Sequence, residues 1–111
     1  MAQFIHPNLN DVPLPSLLHA LSDPTRLAIV RCLNANLERG EGGLACNAAV
    51  SQNLPRATLS NHFTLLRNAG LIESRKEGVM VINRLRRDDV DARFPGLLDA
   101  VLSAVEHSTE Q

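Results

Sequence analysis

The sequence predicts a mainly α-helical domain carrying a small β-hairpin, in the order α-α-α-α-β-β-α. Three observations carry that prediction. Ser22-Asp23-Pro24 is a helix-start signal, with Asp23 suited to the cap and Pro24 to the first helical position, where no amide donor is needed. Leu59, Phe63 and Leu66 recur at helical spacing and define one buried face. After Gly70 the period changes, and Leu71–Lys76 and Val79–Leu85 read as two strands around a Glu77-Gly78 turn.

The elements follow in order. Residues 1–12 are expected to form an irregular N-terminal arm, disordered or draped on a partner, ahead of a domain spanning 13–108 and a tail at 109–111. Pro13 and Pro15 stiffen the entry to a first helix, Pro15–Leu21. The second runs Pro24–Asn34, with Leu27, Ile29, Val30 and Leu33 as its apolar stripe. Residues 38–43 are a loop, 44–50 a short helix, and 51–55 a turn leading into a helix over Pro55–Asn68 that Gly70 terminates. Asp88, Asp89 and Asp91 suit a helix start, Phe94-Pro95-Gly96 interrupts it, and an amphipathic helix follows over 95–108.

The chain has 111 residues, the size of one domain. It contains three Phe and neither Tyr nor Trp, which argues against recognition of single strands by base stacking. No apolar run reaches the roughly 18 residues of a membrane span. Met1 to Asp11 lacks a basic stretch followed by an apolar core, so no signal peptide is expected. Two cysteines are too few for a secreted disulfide scaffold, and the expected compartment is the cytoplasm.

The net charge of −1 conceals a strong asymmetry. Within 54–87, Arg56, Arg67, Arg75, Lys76, Arg84, Arg86 and Arg87 oppose Glu73 and Glu77 alone. Within 88–111, Arg93 stands against six carboxylates. A basic centre in a nearly neutral chain is the footprint of a face that meets phosphates. A helix followed by a basic hairpin suggests a winged helix-turn-helix. In that arrangement the helix of about 55–68 enters the major groove of double-stranded DNA, and the wing of about 71–85 lies on the backbone or in the minor groove. Arg56, Thr58, Ser60, Asn61, His62, Thr64 and Arg67 avoid the buried face and are the candidate base and phosphate contacts. Arg75, Lys76 and Arg84, with Arg86 and Arg87 beside them, are phosphate candidates.

Ala20-Leu21-Ser22-Asp23-Pro24-Thr25-Arg26-Leu27, the stretch from Thr58 to Ile72, and Arg75-Lys76-Glu77-Gly78 together resemble the ArsR (arsenic-repressor-like) family over residues 15–105. The resemblance implies a homodimeric repressor that binds a pseudo-palindromic operator and leaves it on an inducing signal. It places the first and last helices at the dimer interface, with Leu17, Leu18, Leu97, Leu98, Val101, Leu102 and Val105 as candidates. The apolar stripe of the last helix supports this independently.

Two metal sites recur in the family, and neither is complete here. Where a Cys-x-Cys pair is needed, Leu44 precedes Cys46. His107 and Glu110 reproduce half of a second site, but Phe94 and Gly96 stand at the other half. No metal and no cofactor are expected. Cys32 and Cys46 form a redox pair only if their α-carbons approach within about 7 Å. His6 and His19 lack metal-like spacing. Phe4, Leu17, Leu18 and Phe94 either line an effector cavity between the first and last helices, or Phe4 and Ile5 staple onto a partner subunit, the reading preferred here. The alternatives to a DNA-binding repressor are a winged-helix module that binds protein, and a thiol-redox-responsive repressor using Cys32 and Cys46. No nucleophile–base pair or phosphate-cradling loop points to an enzyme.

Overall fold

The computed structural model describes residues 4–50 and 53–107. The anticipated 109–111 tail, Glu110, and Ser51 and Gln52 of the anticipated turn lie outside them. In chain order the elements are α1 (Leu14–Leu21), α2 (Pro24–Glu38), β1 (Leu44–Ala45), α3 (Arg56–Asn68), β2 (Ile72–Glu77), β3 (Met80–Leu85), α4 (Arg87–Arg93) and α5 (Leu97–Glu106). Single 3-10 turns occupy Leu9–Asp11 and Cys46–Ala48.

The start of α2 follows the reading of Asp23. Its carboxylate accepts from the amides of Thr25 at 2.9 Å and Arg26 at 3.1 Å, satisfying two donors that open the helix. α2 runs a turn beyond the anticipated end at Asn34, because Asn36 is buried and donates to Glu41 Oε1 at 2.9 Å, anchoring that turn.

The anticipated third helix is instead a strand and a 3-10 turn. Leu44 and Ala45 pair antiparallel with Asn83 and Ile82, so the hairpin becomes a three-stranded sheet of order β1-β3-β2. Gly43 permits this pairing: a Cβ there would lie 2.7 Å from Asn83 O and Ile82 Cγ2. Two residues are too few for a period-two signal, which hid the strand from sequence. The wing turn is Gly78-Val79, with Glu77 opposite Met80, one residue later than anticipated. The last helical segment is broken into α4 and α5 by Phe94–Gly96, where Gly96 adopts φ 80°.

The core gathers Leu17, Ile29, Val30 and Leu33 with Phe63, Leu66, Leu71, Ile72, Leu85, Val90 and Leu98, all at most 1% exposed. Each such side chain contributes about 1.5–3 kcal/mol by leaving water. The arm is part of this body. Leu9 and Val12 are buried in it, against the position of Gly70. Arg86 Nη1 donates to Pro7 O at 2.8 Å and Arg93 Nε to Leu9 O at 3.1 Å. Residues 4–12 therefore pack on their own domain, where the sequence had suggested disorder or a partner. Ile5 remains exposed.

Candidate nucleic-acid interface

The inner face of α3 fixes its outer face. Phe63 and Leu66 are buried and Leu59 is half-buried, so at 100° per residue the opposite side must face solvent. Thr58, Asn61 and Thr64 are exposed there, and Arg56 and Ser60 are exposed elsewhere on the helix. Their side chains offer guanidinium, amide and hydroxyl groups on the exposed surface of a 13-residue helix. That is the donor and acceptor set that matches base edges and phosphates in a major groove.

Two of the anticipated contacts are otherwise engaged. His62 is half-buried, and its Nδ1 lies 3.4 Å from Arg26 Nη1 and 3.9 Å from Asp23 Oδ2. Arg26 is itself buried and donates to Ala20 O at 2.7 Å and His19 O at 3.2 Å, closing the carbonyl end of α1. Burial pushes the Asp23 carboxyl up, but the Arg26 and Thr25 amides and the charges of Arg26 and His62 outweigh it and hold the group below its ordinary range. His62 thus braces α3 against the start of α2.

Arg67 is the second correction. Its Nε donates to Ser74 Oγ at 2.9 Å, and its guanidinium lies 4.4 Å from the centre of the Phe4 ring. Ser74 Oγ in turn donates to Asn83 Oδ1 at 2.7 Å, and Asn83 Nδ2 donates to Leu44 O and Cys46 Sγ, each at 3.2 Å. This buried relay ties α3 to all three strands. Sequence reasoning missed Ser74 and Asn83, although alternation carries a signal: Ser74 shares a face with buried Ile72, and Asn83 with buried Leu85. Arg67 likewise sits one turn after buried Phe63.

The wing presents Arg75 and Lys76 to solvent. Arg75 Nε donates to Glu77 Oε2 at 2.7 Å, an exposed pair worth little in water, and Arg84 lies 3.8 Å from Glu73 across the strands. Arg86 and Arg87, the remaining phosphate candidates, are held by partners within the fold. Arg86 holds Pro7 and Asp89, while Arg87 binds Asp91, Asn34 and Asp99, clasping α2, α4 and α5.

Among the candidate interface residues, Leu17 and Leu98 are fully buried and Leu102 nearly so within this one chain. Their burial comes from their own core, so they are corrected to core residues. Leu18 is 44% exposed beside Leu14 at 41%, and Leu97, Val101 and Val105 are half-buried on α5. The cavity anticipated among Phe4, Leu17, Leu18 and Phe94 does not form: Leu17 has no exposed surface, Phe4 lies on Arg67, and Phe94 lies 4.5 Å from the Arg93 guanidinium. Cys32 and Cys46 are free thiols, Cys32 on α2 and Cys46 beside Asn83. Among the described residues, no helix is long and apolar enough to cross a membrane.

A capped helix pair, a further helix with a polar outer face and a basic three-stranded wing define a winged helix-turn-helix. Residues 21–75 match a family model described as a helix-turn-helix domain. The chain is 38% identical over 88 residues to the HTH-type transcriptional regulator YceK of Bacillus subtilis (strain 168), covering 77% of this chain and 82% of that protein. It is 30% identical over 111 residues to the biofilm growth-associated repressor of Agrobacterium fabrum (strain C58), covering 91% and 90%. An ArsR-like transcriptional regulator from Rhodococcus superposes with a TM-score of 0.55 at 25% identity, covering 88% of this chain and 93% of that one. A crystal structure of an ArsR family regulator shares the fold with a TM-score of 0.61 at 20% identity, covering 85% and 92%. The chain belongs to the ArsR-like winged helix-turn-helix family of transcriptional regulators.

Proposed function

We propose that this chain is a cytoplasmic, sequence-specific DNA-binding regulator that acts as a homodimeric repressor, with α3 as its recognition helix. The observation that carries this is the outer face of α3. Arg56, Thr58, Ser60, Asn61 and Thr64 stand exposed together on a helix whose inner face is locked into the core. Arg matches guanine, Asn matches adenine, and the hydroxyls serve either base edges or phosphates. Arg75, Lys76 and Arg84 of the wing supply phosphate contacts that set the register without reading sequence.

Two such helices reach successive major grooves only if the protein is a dimer. The apolar surface available for one is Leu14 and Leu18 of α1 with Leu97, Val101 and Val105 of α5. The reading of this chain as a repressor draws support from the similarity to the Agrobacterium repressor.

Fluorescence anisotropy with the DNA upstream of the protein's own gene, against scrambled DNA, tests the proposal. Selective, salt-dependent binding is expected. Arg56→Ala and Asn61→Ala should each weaken it by about 1–3 kcal/mol without altering the circular dichroism spectrum. Unchanged affinity in both variants would remove α3 from the interface.

A further inference from the structure

A slot of about 310 Å3 opens between α3, the N-terminal arm and β3. Its walls include the apolar side chains of Phe4, Leu59 and Val81, and Arg56 and Arg67 bring the only charges among its lining residues. No carboxylate among the described residues lines it.

Arg67 differs from Arg87 in what surrounds it. Arg87, whose side chain is 17% exposed, is surrounded by Asp91 and Asp99. Burial lowers the Arg87 pKa, but its bonds to those carboxylates outweigh that and raise it. Arg67 has no carboxylate partner among the described residues. Burial pushes its guanidinium down, opposed only by Cys46. Its Nε is committed to Ser74, and the terminal nitrogens have no protein acceptor among the described residues. A half-desolvated cation without a counter-charge is unfavourable, and an anion entering the slot relieves it.

The apolar walls narrow the class of anion. A phosphodiester backbone or free phosphate is hydrophilic throughout and gains nothing from Phe4, Leu59 and Val81. A molecule with a carboxylate at one end and a hydrocarbon body at the other matches both halves of the lining. We propose that the slot between α3 and β3 binds a small apolar carboxylic acid, its carboxylate on Arg67 and its body against Phe4, Leu59 and Val81. The occupant lies along Arg56, Ser60 and Thr64, so it competes with DNA. That consequence rests on the DNA-binding reading, whereas binding of the acid does not.

The test is therefore made first without DNA. Octanoate and phenylacetate are titrated into the full chain and followed by amide NMR shifts, with octanol, phenylethanol and inorganic phosphate as comparisons. Saturable binding of at least one acid is expected, with shifts centred on Phe63, Arg67 and Val81 and none from the alcohols or phosphate. Arg67→Gln should weaken binding about tenfold wherever that variant folds. Arg56→Met, at an exposed position of the same slot, should weaken it less than Arg67→Gln does. The proposal is overturned if neither acid binds, if the alcohols or phosphate bind equally well, or if a folded Arg67→Gln protein binds the acid as the parent does. Added acid should then release operator DNA in the anisotropy assay. Acid binding without release would retain the site and reject its overlap with the DNA surface.

Discussion

Arg67 Nε and Ser74 Oγ lie 2.9 Å apart, joining the last turn of α3 to the first strand of the wing. Ser74 passes the connection to Asn83, which is wholly buried, and Asn83 passes it to Leu44 and Cys46. The two elements proposed to grip DNA are therefore joined through buried hydrogen bonds. A buried polar chain of this kind stabilises only while each member has its partner.

Ser74→Ala removes the hub and leaves Arg67 Nε and Asn83 Oδ1 without that partner. The expected loss is about 1–3 kcal/mol, read from the urea denaturation midpoint at constant slope. A midpoint within error of the parent would show that the relay bears no load.

Leu18 and Leu98 separate association from folding. Leu18→Glu places a charge on exposed surface of α1, and sedimentation should show a folded monomer. Leu98→Glu buries an unpaired charge in the core and should unfold the chain, since Leu98 has no exposed surface. A Leu18→Glu protein that still sediments as a dimer would exclude α1 from the interface.

The wing is expected to contribute affinity without selectivity. Replacing Arg75 and Lys76 together by Ala should weaken binding to all DNA and reduce the slope of log affinity against log salt by about 0.9 per lost phosphate contact. An unchanged slope would take both residues off the backbone.

The arm should respond to pH through His6. The Ser74 amide donates to His6 Nε2 at 2.9 Å, covering the outer edge of β2, and a protonated imidazole cannot accept that bond. Burial, and then the Arg86 charge, lower the His6 pKa from 6.5, with Glu73 opposing and Arg67 reinforcing. A base whose folded pKa is depressed binds more protons unfolded. Its docking is thus fully present above pH 6.5 and weakens as pH falls below it. Proton exchange at the Ser74 amide should quicken, relative to its intrinsic rate, on acidification below that point. The His6→Phe variant should lose the dependence. Equal pH dependence in parent and variant would assign it to another group.

Sequence alone determined whatever depends on neighbours along the chain. Asp23 caps α2 because its carboxylate reaches amides two and three residues ahead. The period of Leu59, Phe63 and Leu66 gave α3 its inner face and so its polar outer face, and the shift to alternation gave β2 and β3. Tertiary structure decided what depends on residues far apart. Arg67 looked like a surface cation until Ser74 and Phe4 closed on it. Leu17 and Leu98 carried an apolar pattern that serves a core or a partner equally well, and only packing assigned them to the core. The two-residue β1 was invisible because it exists through its pairing with Asn83 and Ile82. Arg86 and Arg87 drew their partners from the arm, α2 and α5. Periodicity and capping are local and written in order along the chain. The neutralisation of a charge depends on what the folded chain brings beside it.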